Sequence, residues 1–422
     1  MIMNKYIKNS LWLLVEKVVS ILGALFITIY TARYLGPEKM GNINYAMALG
    51  AIAVPISQLG SQTLIFDKTA KSRKTGIFLL VATSKIRFSI FLIVSLLIVL
   101  SQYLMGNEDG LLILSFILLS CFFTSQDAYK PFFDATFQSK KNSIAAQVGL
   151  FSALVSRLGL VYSSASLVFF TLPYIMHTAI PFFIRKKWFA KETNEYSFPQ
   201  RKIRRYRSFA SSAGVPLTLS SLSIILYVKV GQLILGSQVG LHDVGLYNAA
   251  STLAQGWLFL PVTIITVGLA KVIGDGESKE IGFSFISFLI LIISSIIASF
   301  FVFFNNEIIQ LTYGTEFKGA ADSLIILSIS SVFSALGTVS YRMIIHYGGY
   351  TFLMKKMLIM AVFNIGLSFY LIGEYGLYGA ALAVLITEFL SSTLFNYPFK
   401  SGLVLSIHAR CIFSLNYLRL KN

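Results

Sequence analysis

Three cations within apolar runs are the first residues that could do chemistry in this chain. Lys229 lies in the run SIILYVKVGQLILG (223–236), with no carboxylate three or four positions away. A lone ammonium costs about 2.5–3.5 kcal/mol at the centre of a membrane helix, so its presence calls for a reason. Lys17 and Arg157 interrupt other apolar runs. If these runs enclose an aqueous cavity, the cavity is cationic and its cargo carries negative charge.

Carboxylates are scarcer in the same runs, where Glu16 and Glu388 are the two that lie well inside. A membrane-embedded carboxylate is a candidate carrier of a proton or an ion, and the alternative is a structural hydrogen bond to a neighbouring helix. Glu16 and Lys17 are adjacent and point about 100° apart on a helix, so Glu16 is not expected to neutralise Lys17 directly.

Snorkelling is the alternative explanation for the cations. Lys229 lies roughly 10 Å from the outer end of its run at 1.5 Å per residue, which is near the limit that a lysine side chain can span. For Lys229, a position in a cavity and a position at the membrane interface are therefore both alternatives. Lys85 and Arg87 lie nearer the inner end of their run, and snorkelling is the prediction for both.

The elements that position these residues are membrane-spanning helices. The 422 residues are 55% hydrophobic and 13% charged, whereas soluble domains carry about 25% charged residues. Apolar runs of about 20 residues predict helices and exclude barrel strands. The twelve predicted spans are 11–31, 42–59, 77–103, 111–127, 144–162, 165–184, 214–236, 245–270, 281–304, 320–340, 354–372 and 377–397.

The distribution of basic residues predicts the orientation. With both termini inside, 27 of the 35 Lys and Arg residues lie in inner segments or at the inner end of a span, and three lie in outer loops. This asymmetry is a strong positive-inside signal, so both termini are predicted to be cytoplasmic. The net charge of +17 is then a signal of topology and of attraction to anionic lipid, not of nucleic-acid binding.

A basic loop (185–208) and a weak internal repeat divide the chain into halves. Aligning Gly41 with Gly245 places Asn44 on Asn248, and each repeat leads into a span that contains a proline. The predicted organisation is an N-terminal six-helix lobe (1–190), a cytoplasmic basic linker (191–213), a C-terminal six-helix lobe (214–400) and a cytoplasmic tail (401–422). Repeated halves with interrupted helices are typical of alternating-access transporters.

Motifs for other chemistry are missing from the sequence. The glycine cluster GDGESK (274–279) has the wrong spacing for a nucleotide-binding loop. The two cysteines, Cys121 and Cys411, predict neither a disulfide nor a metal site. No Ser, Cys or His constellation of the kind that nucleophilic catalysis needs is present. We therefore expect no cofactor, no metal and no enzymatic activity.

Several segments resemble the Wzx-type polysaccharide flippases, which belong to the superfamily of the multidrug and toxic compound extruders. They occur in family order along nearly the whole chain. The segments are NSLWLLVEKVVSILGALF (9–26), ARYLGPEKMGNINYAMAL (32–49), FFDATFQSKKNS (132–143), VGLYNAASTLAQGWLFLP (244–261), LTYGTEFKGAADSLIILS (311–328) and YGLYGAALAVLITE (375–388).

The resemblance implies two six-helix lobes around a central cavity that opens alternately to each side of the bacterial inner membrane. It implies an undecaprenyl-pyrophosphate-linked oligosaccharide as the cargo, such as an O-antigen unit, moved from the inner to the outer leaflet. Polysaccharide polymerase and a chain-length regulator are the implied partners, with membrane lipids. The diphosphate of this cargo fits a cationic cavity, with Lys17, Lys229 and Arg157 as candidate ligands and Glu16 and Glu388 as candidate coupling residues.

One departure from the family pattern concerns span seven. The family often carries an acid in an R-I-D-Q pattern, whereas this chain reads KVGQ, with Gly231 in the position of the acid. A coupling role for that acid cannot be transferred to this chain, and Lys229 is left without a local partner. The alternative functions are a drug or cation exporter of the same fold, which would need acids in its cavity, and a non-transporting scaffold for polysaccharide assembly.

Overall fold

The computed structural model of the chain describes residues 23–107, 110–261, 263–265 and 279–413, except for the side chains of 279 and 411–413. All regular secondary structure in these ranges is helical. The helices are α1 (23–35), α2 (Pro37–Gln58), α3 (Ser61–Lys71), α4 (Arg73–Leu104), α5 (Leu111–Gln126), α6 (Tyr129–Ala135), α7 (Ser139–Tyr162), α8 (Leu172–Glu192), α9 (Gln200–Gln238), α10 (Leu241–Gly256), α11 (Lys279–Phe303), α12 (Asn305–Thr312), α13 (Ala321–His346), α14 (Tyr350–Ser392) and α15 (Leu403–Phe413). Short 3-10 helices occupy Leu167–Thr171, Thr315–Ala320 and Phe399–Gly402.

The predicted all-α, multi-span fold class is confirmed. Within the described ranges, 8 helices are long and apolar enough to cross a membrane, or 9 if the bent pair α2 and α3 forms one span. The first and eighth predicted spans extend into residues outside these ranges, and the last two predicted spans both lie in α14. The total of twelve therefore stays a prediction.

The chain divides into two compact units, residues 1–222 and 223–422. In the first unit the aromatic side chains of Phe132, Phe133 and Phe189 pack in a buried cluster. In the second unit the buried cluster includes Phe283 and Phe399. Each unit thus has a hydrophobic core of its own. The predicted bounds of lobes, linker and tail stay predictions.

A break between α2 and α3 bends the first unit's second span by 43°. Leu59 and Gly60 both have positive φ values, 46° and 64°, so the chain leaves the helical path there. Gly214 of α9 packs directly on this break, because a Cβ at Gly214 would overlap the carbonyl oxygen of Leu59. Glycine is required on both sides of the contact.

A reversal at Gly376 divides α14 into two arms. Gly376 has φ 53° and ψ −129°, a conformation that residues with a side chain rarely adopt. Polar pairs join the arms: Asn364 Nδ2 donates to Thr387 Oγ1 at 3.0 Å. Such pairs between neighbouring arms satisfy polar groups that lipid cannot. The arms therefore form an antiparallel hairpin, which we call the C-terminal hairpin.

Replacing Gly379 by alanine is expected to destabilise the C-terminal hairpin, by about 1–3 kcal/mol if the backbone yields. A Cβ there would overlap the carbonyl oxygen of Leu371 in the other arm. Gly366→Ala is the matched control in the same helix, since a Cβ at Gly366 would meet no atom within 4 Å. Thermal unfolding of the two detergent-purified variants measures the difference. Equal transition temperatures for both variants would contradict this packing.

The internal repeat has a backbone counterpart. The alignment of Gly41 with Gly245 also aligns Gly36 with Gly240, the residues that immediately precede α2 and α10. Gly36 has φ 78° and ψ 168°, and Gly240 has φ 142° and ψ 172°. Both conformations need glycine, and each starts a helix in the same way. This match supports the sequence alignment independently of side-chain identity.

Candidate functional site

Lys229 is held by neutral partners in the second unit. Its Nζ donates a hydrogen bond to Oε1 of Gln232, one turn further along α9, at 3.1 Å. In the part of the chain that the structure describes, no carboxylate forms an ion pair with Lys229. Within the described residues, the half-buried ammonium therefore has a neutral hydrogen-bond partner and no carboxylate partner.

The orientation of the Gln232 amide is fixed by a chain of hydrogen bonds. Asn248 of α10 donates from Nδ2 to the carbonyl oxygen of Val244, which can only accept, at 2.8 Å. Oδ1 of Asn248 then accepts from Nε2 of Gln232 at 2.7 Å. This leaves Oε1 of the buried Gln232 facing Lys229. The ammonium is positioned without being neutralised.

Arg157 has a comparable environment in the first unit. Its Nη1 donates to Oγ1 of Thr28 in α1 at 3.0 Å. The guanidinium carbon lies 4.6 Å from the ring centroid of Tyr174, which is a cation–π contact. Arg157 is half-buried, and no carboxylate pairs with it among the described residues.

The hydrogen-bond acceptors of the two cations occupy aligned positions of the repeat. The offset that aligns Gly41 with Gly245 also aligns Thr28 with Gln232. Thr28 accepts from Arg157 and Gln232 accepts from Lys229. Each unit, taken by itself, thus holds one cation against the same position of its first helix, although the cation comes from α7 in one unit and from α9 in the other.

Glu388 has a tyrosine partner in the second unit. The hydroxyl of Tyr227 in α9 donates to Oε1 of Glu388 in α14 at 3.0 Å. Tyr227 and Lys229 are two residues apart and point about 200° apart around α9. The structure therefore places Lys229 and Glu388 on different sides of one helix, and the two side chains form no ion pair with each other.

A buried lysine near Glu388 was missed by sequence reasoning. Lys356 lies near the inner end of the predicted span 354–372, and its side chain is buried in the C-terminal hairpin. Its Nζ donates to the carbonyl oxygen of Ser391 and to Oδ1 of Asn396, both at 2.8 Å. Lys356 also interacts electrostatically with Glu388. The sequence signal for this cluster is a pair of asparagines within predicted spans, Asn364 before the reversal and Asn396 after it.

The other residues that the sequence analysis singled out have different outcomes. Glu16 and Lys17 lie outside the described residues. The prediction that Arg87 snorkels is wrong, because its side chain is only 2% exposed. Arg87 donates to Oγ1 of Thr83 inside the first unit, whereas Lys85 is exposed as expected. Gly231, in the place of the family's acid, has room for a side chain, since its Cβ would meet only Oγ of Ser368 at 3.9 Å.

A family model described as "Polysaccharide biosynthesis protein" matches residues 6–270, which is more than half of the chain. The chain belongs to the polysaccharide biosynthesis protein family. The flippase resemblance drawn from the sequence is thereby confirmed at the level of the family. The chain is also similar to the capsular polysaccharide biosynthesis protein CapF of Staphylococcus aureus, with 24% identity over 411 residues. This match covers 93% of the chain and 99% of CapF.

Solved structures place this polysaccharide biosynthesis protein in a known fold. The lipid II flippase MurJ, in an inward closed conformation, matches with a TM-score of 0.68 and 13% identity, over 97% of this chain and 92% of MurJ. An inward-facing transporter of the multidrug resistance MATE family, within the MOP superfamily, matches with a TM-score of 0.66 and 14% identity, over 94% and 95%. At these identities the likeness establishes the fold.

Proposed function

We propose that this polysaccharide biosynthesis protein is a flippase. It carries an undecaprenyl-pyrophosphate-linked oligosaccharide from the inner to the outer leaflet of the cytoplasmic membrane by alternating access. The observation that carries the proposal is the pair of cations in apolar helices, Lys229 and Arg157, whose hydrogen-bond partners among the described residues are neutral. An anionic diphosphate supplies the charge that these sites lack. Family membership and the MurJ-like fold support the same reaction class.

The substrate is proposed to be the repeat unit of a surface polysaccharide. The name of CapF favours a capsular unit, and an O-antigen unit has the same lipid-linked chemistry. Lys229, Arg157 and Lys17 are proposed to contact the diphosphate, and Glu388 and Glu16 to couple transport to an ion. The protein itself acts as a transporter and forms or breaks no bond of the cargo.

A flipping assay in proteoliposomes tests the proposal. Fluorescent undecaprenyl-pyrophosphate-linked oligosaccharide in the outer leaflet is quenched by an impermeant reductant, and protein-dependent flipping exposes the inner pool. We expect quenching beyond the outer-leaflet fraction only when the protein is present, and faster quenching under a pH gradient. Equal quenching with and without the protein, both in the presence and in the absence of the pH gradient, would overturn the proposal.

A second candidate is a cation- or proton-coupled exporter of drugs or small molecules. The likeness to a MATE transporter favours it, but the uncompensated cations do not suit cationic cargo. Dye efflux from cells that overproduce the protein distinguishes the two functions. Efflux of a cationic dye with no lipid flipping would replace the proposal by this alternative.

A third possibility is a scaffold that assembles the polymerase and the chain-length regulator without transporting lipid. A deletion strain separates it from the flippase. Loss of transport leaves lipid-linked oligosaccharide on the cytoplasmic side, where it accumulates. A scaffold defect leaves flipped units that are not polymerised on the outer side.

The proposed topology places both termini and residues 185–208 in the cytoplasm. In a background without the native Cys121 and Cys411, a cysteine at position 195 is expected to resist an impermeant thiol reagent in intact cells. The positive-inside distribution is the reason. A cysteine at position 318, in a predicted outer loop, is the labelled control. Labelling at position 195 before the cells are opened would contradict this topology.

A further inference from the structure

A basic cleft lies within the first unit, and Arg157 is not among its lining residues. It is a cavity of about 510 Å³ between α4, α5 and α8, and we call it the α4–α8 cleft. Its lining includes three cations, Lys85, Arg87 and Lys186, together with the polar side chains of Gln126 and Tyr129. None of the described residues that line it is a carboxylate. Its chemistry is therefore that of a site for an anion.

Within the described part of the chain, Arg87 forms no ion pair with a carboxylate. Its Nη1 donates to the neutral Thr83, and its buried Nε has no hydrogen-bond partner among the described residues. Asp127 interacts electrostatically with Arg87 but pairs through Oδ2 with Arg185 of α8, so two guanidinium groups share this carboxylate. Since buried charges are ordinarily paired, the surplus positive charge at this cleft points to a missing anion.

The composition of the cleft indicates an anion that is attached to a lipid. Lys186 follows the apolar run of α8, whereas Lys85 lies within the run of α4. Because both line one cavity, the cleft lies at the membrane boundary on the side that the basic residues mark as cytoplasmic. Its remaining walls include Phe88, which is 47% exposed, and Phe122. Aromatic walls below a cationic rim suit an acyl or isoprenoid chain below a phosphate.

We propose that the α4–α8 cleft binds the phosphate group of a lipid of the inner leaflet. Lys85 and Lys186 hold the phosphate oxygens at the rim, and Arg87 supplies the buried charge that fixes its position. The proposal does not depend on flipping, because a resident anionic phospholipid and the lipid-linked diphosphate offer the same group. The two sources are separated by their headgroups.

Native mass spectrometry of the purified full chain tests the proposal with three added lipids. The lipids are dioleoylphosphatidylglycerol, undecaprenyl pyrophosphate, and zwitterionic dioleoylphosphatidylcholine, whose phosphate charge is balanced within its own headgroup, as the reference without net charge. The test variant is Lys85→Gln with Lys186→Gln. The matched control is Lys140→Gln with Lys187→Gln, which removes the same charge from exposed lysines outside the cleft.

The test variant is expected to bind an anionic lipid about tenfold or more weakly than the wild type, because it loses two charge-assisted contacts. The control should stay within about twofold, as expected for screened surface charges. A loss confined to phosphatidylglycerol identifies a resident phospholipid, and a loss confined to undecaprenyl pyrophosphate identifies the cargo. Either result supports the cleft. Arg87→Lys should keep more of the affinity than Arg87→Gln.

Unchanged binding of both anionic lipids by the test variant would overturn the proposal, as would equal losses in the test and control variants. Neither result would bear on the flippase, since no flipping is measured. A variant that binds lipid weakly but still flips in proteoliposomes would assign the cleft to a resident phospholipid. The two proposals can therefore fail separately.

Discussion

Replacing Lys229 by glutamine is expected to reduce flipping about tenfold or more, because a hydrogen bond to a charged group contributes about 1.5–3 kcal/mol. The side chain of Gln232 accepts from Lys229 but leaves its charge uncompensated. A diphosphate would therefore gain a full ionic contact at this position. The measurements are surface polysaccharide at native expression level and the flipping rate in proteoliposomes.

Three companion variants make the Lys229 test specific. Lys229→Arg should retain part of the activity because it keeps the charge, and Arg157→Gln should show a comparable loss if both units contact the cargo. Lys355→Gln removes an exposed lysine from α14 and should have no effect. If Lys229 merely snorkelled, glutamine would be tolerated. Normal surface polysaccharide in Lys229→Gln would rule out phosphate binding by this residue.

Glu388→Gln is expected to abolish the acceleration of flipping by a pH gradient while leaving the protein folded. The glutamine amide keeps an oxygen that can accept from the Tyr227 hydroxyl, so the contact between α9 and α14 is preserved. What the variant loses is the group that can bind and release a proton. The flipping rate with and without a pH gradient, at equal protein level, measures this loss.

Tyr227→Phe is the control for the structural reading of Glu388. It removes the hydrogen bond at 3.0 Å and leaves the carboxylate titratable. A structural role predicts a stability loss in Tyr227→Phe and full gradient-driven transport in Glu388→Gln. A coupling role predicts that Glu388→Gln loses the gradient-driven acceleration and that Tyr227→Phe keeps it. Undiminished acceleration in Glu388→Gln would return this carboxylate to a structural role.

The helices were predictable from the sequence because apolar runs of about 20 residues leave a chain in lipid few alternatives. The breaks within the helices were less predictable. The bend at Leu59 and the reversal at Gly376 depend on positive φ values, which many glycines do not adopt. Leu59 is not a residue that favours this conformation, so packing against Gly214 decides its path. That contact joins residues far apart in sequence, and no local pattern reports it.

The sequence identified the charged residues of the candidate site, but it did not show which of them are buried. Lys229, Arg157 and Glu388 stand out as charges in apolar runs, and the structure gives each a defined polar partner. The sequence could not show which charges are buried. Arg87 and Lys356 both looked like boundary residues, yet both are enclosed. Burial of a long side chain depends on the neighbouring helices, which charge counting along one helix does not include.

The C-terminal hairpin has a consequence for how the protein is made. Its first arm carries Lys356 and Asn364, whose hydrogen-bond acceptors lie in or just beyond the second arm. When the first arm leaves the ribosome, those acceptors have not yet been synthesised. These polar side chains then lack their partners if the first arm enters lipid alone, and unsatisfied polar groups are costly there. The arms are thus suited to integrate as a pair, and a chain that stops at the turn would hold its last helix poorly in the bilayer.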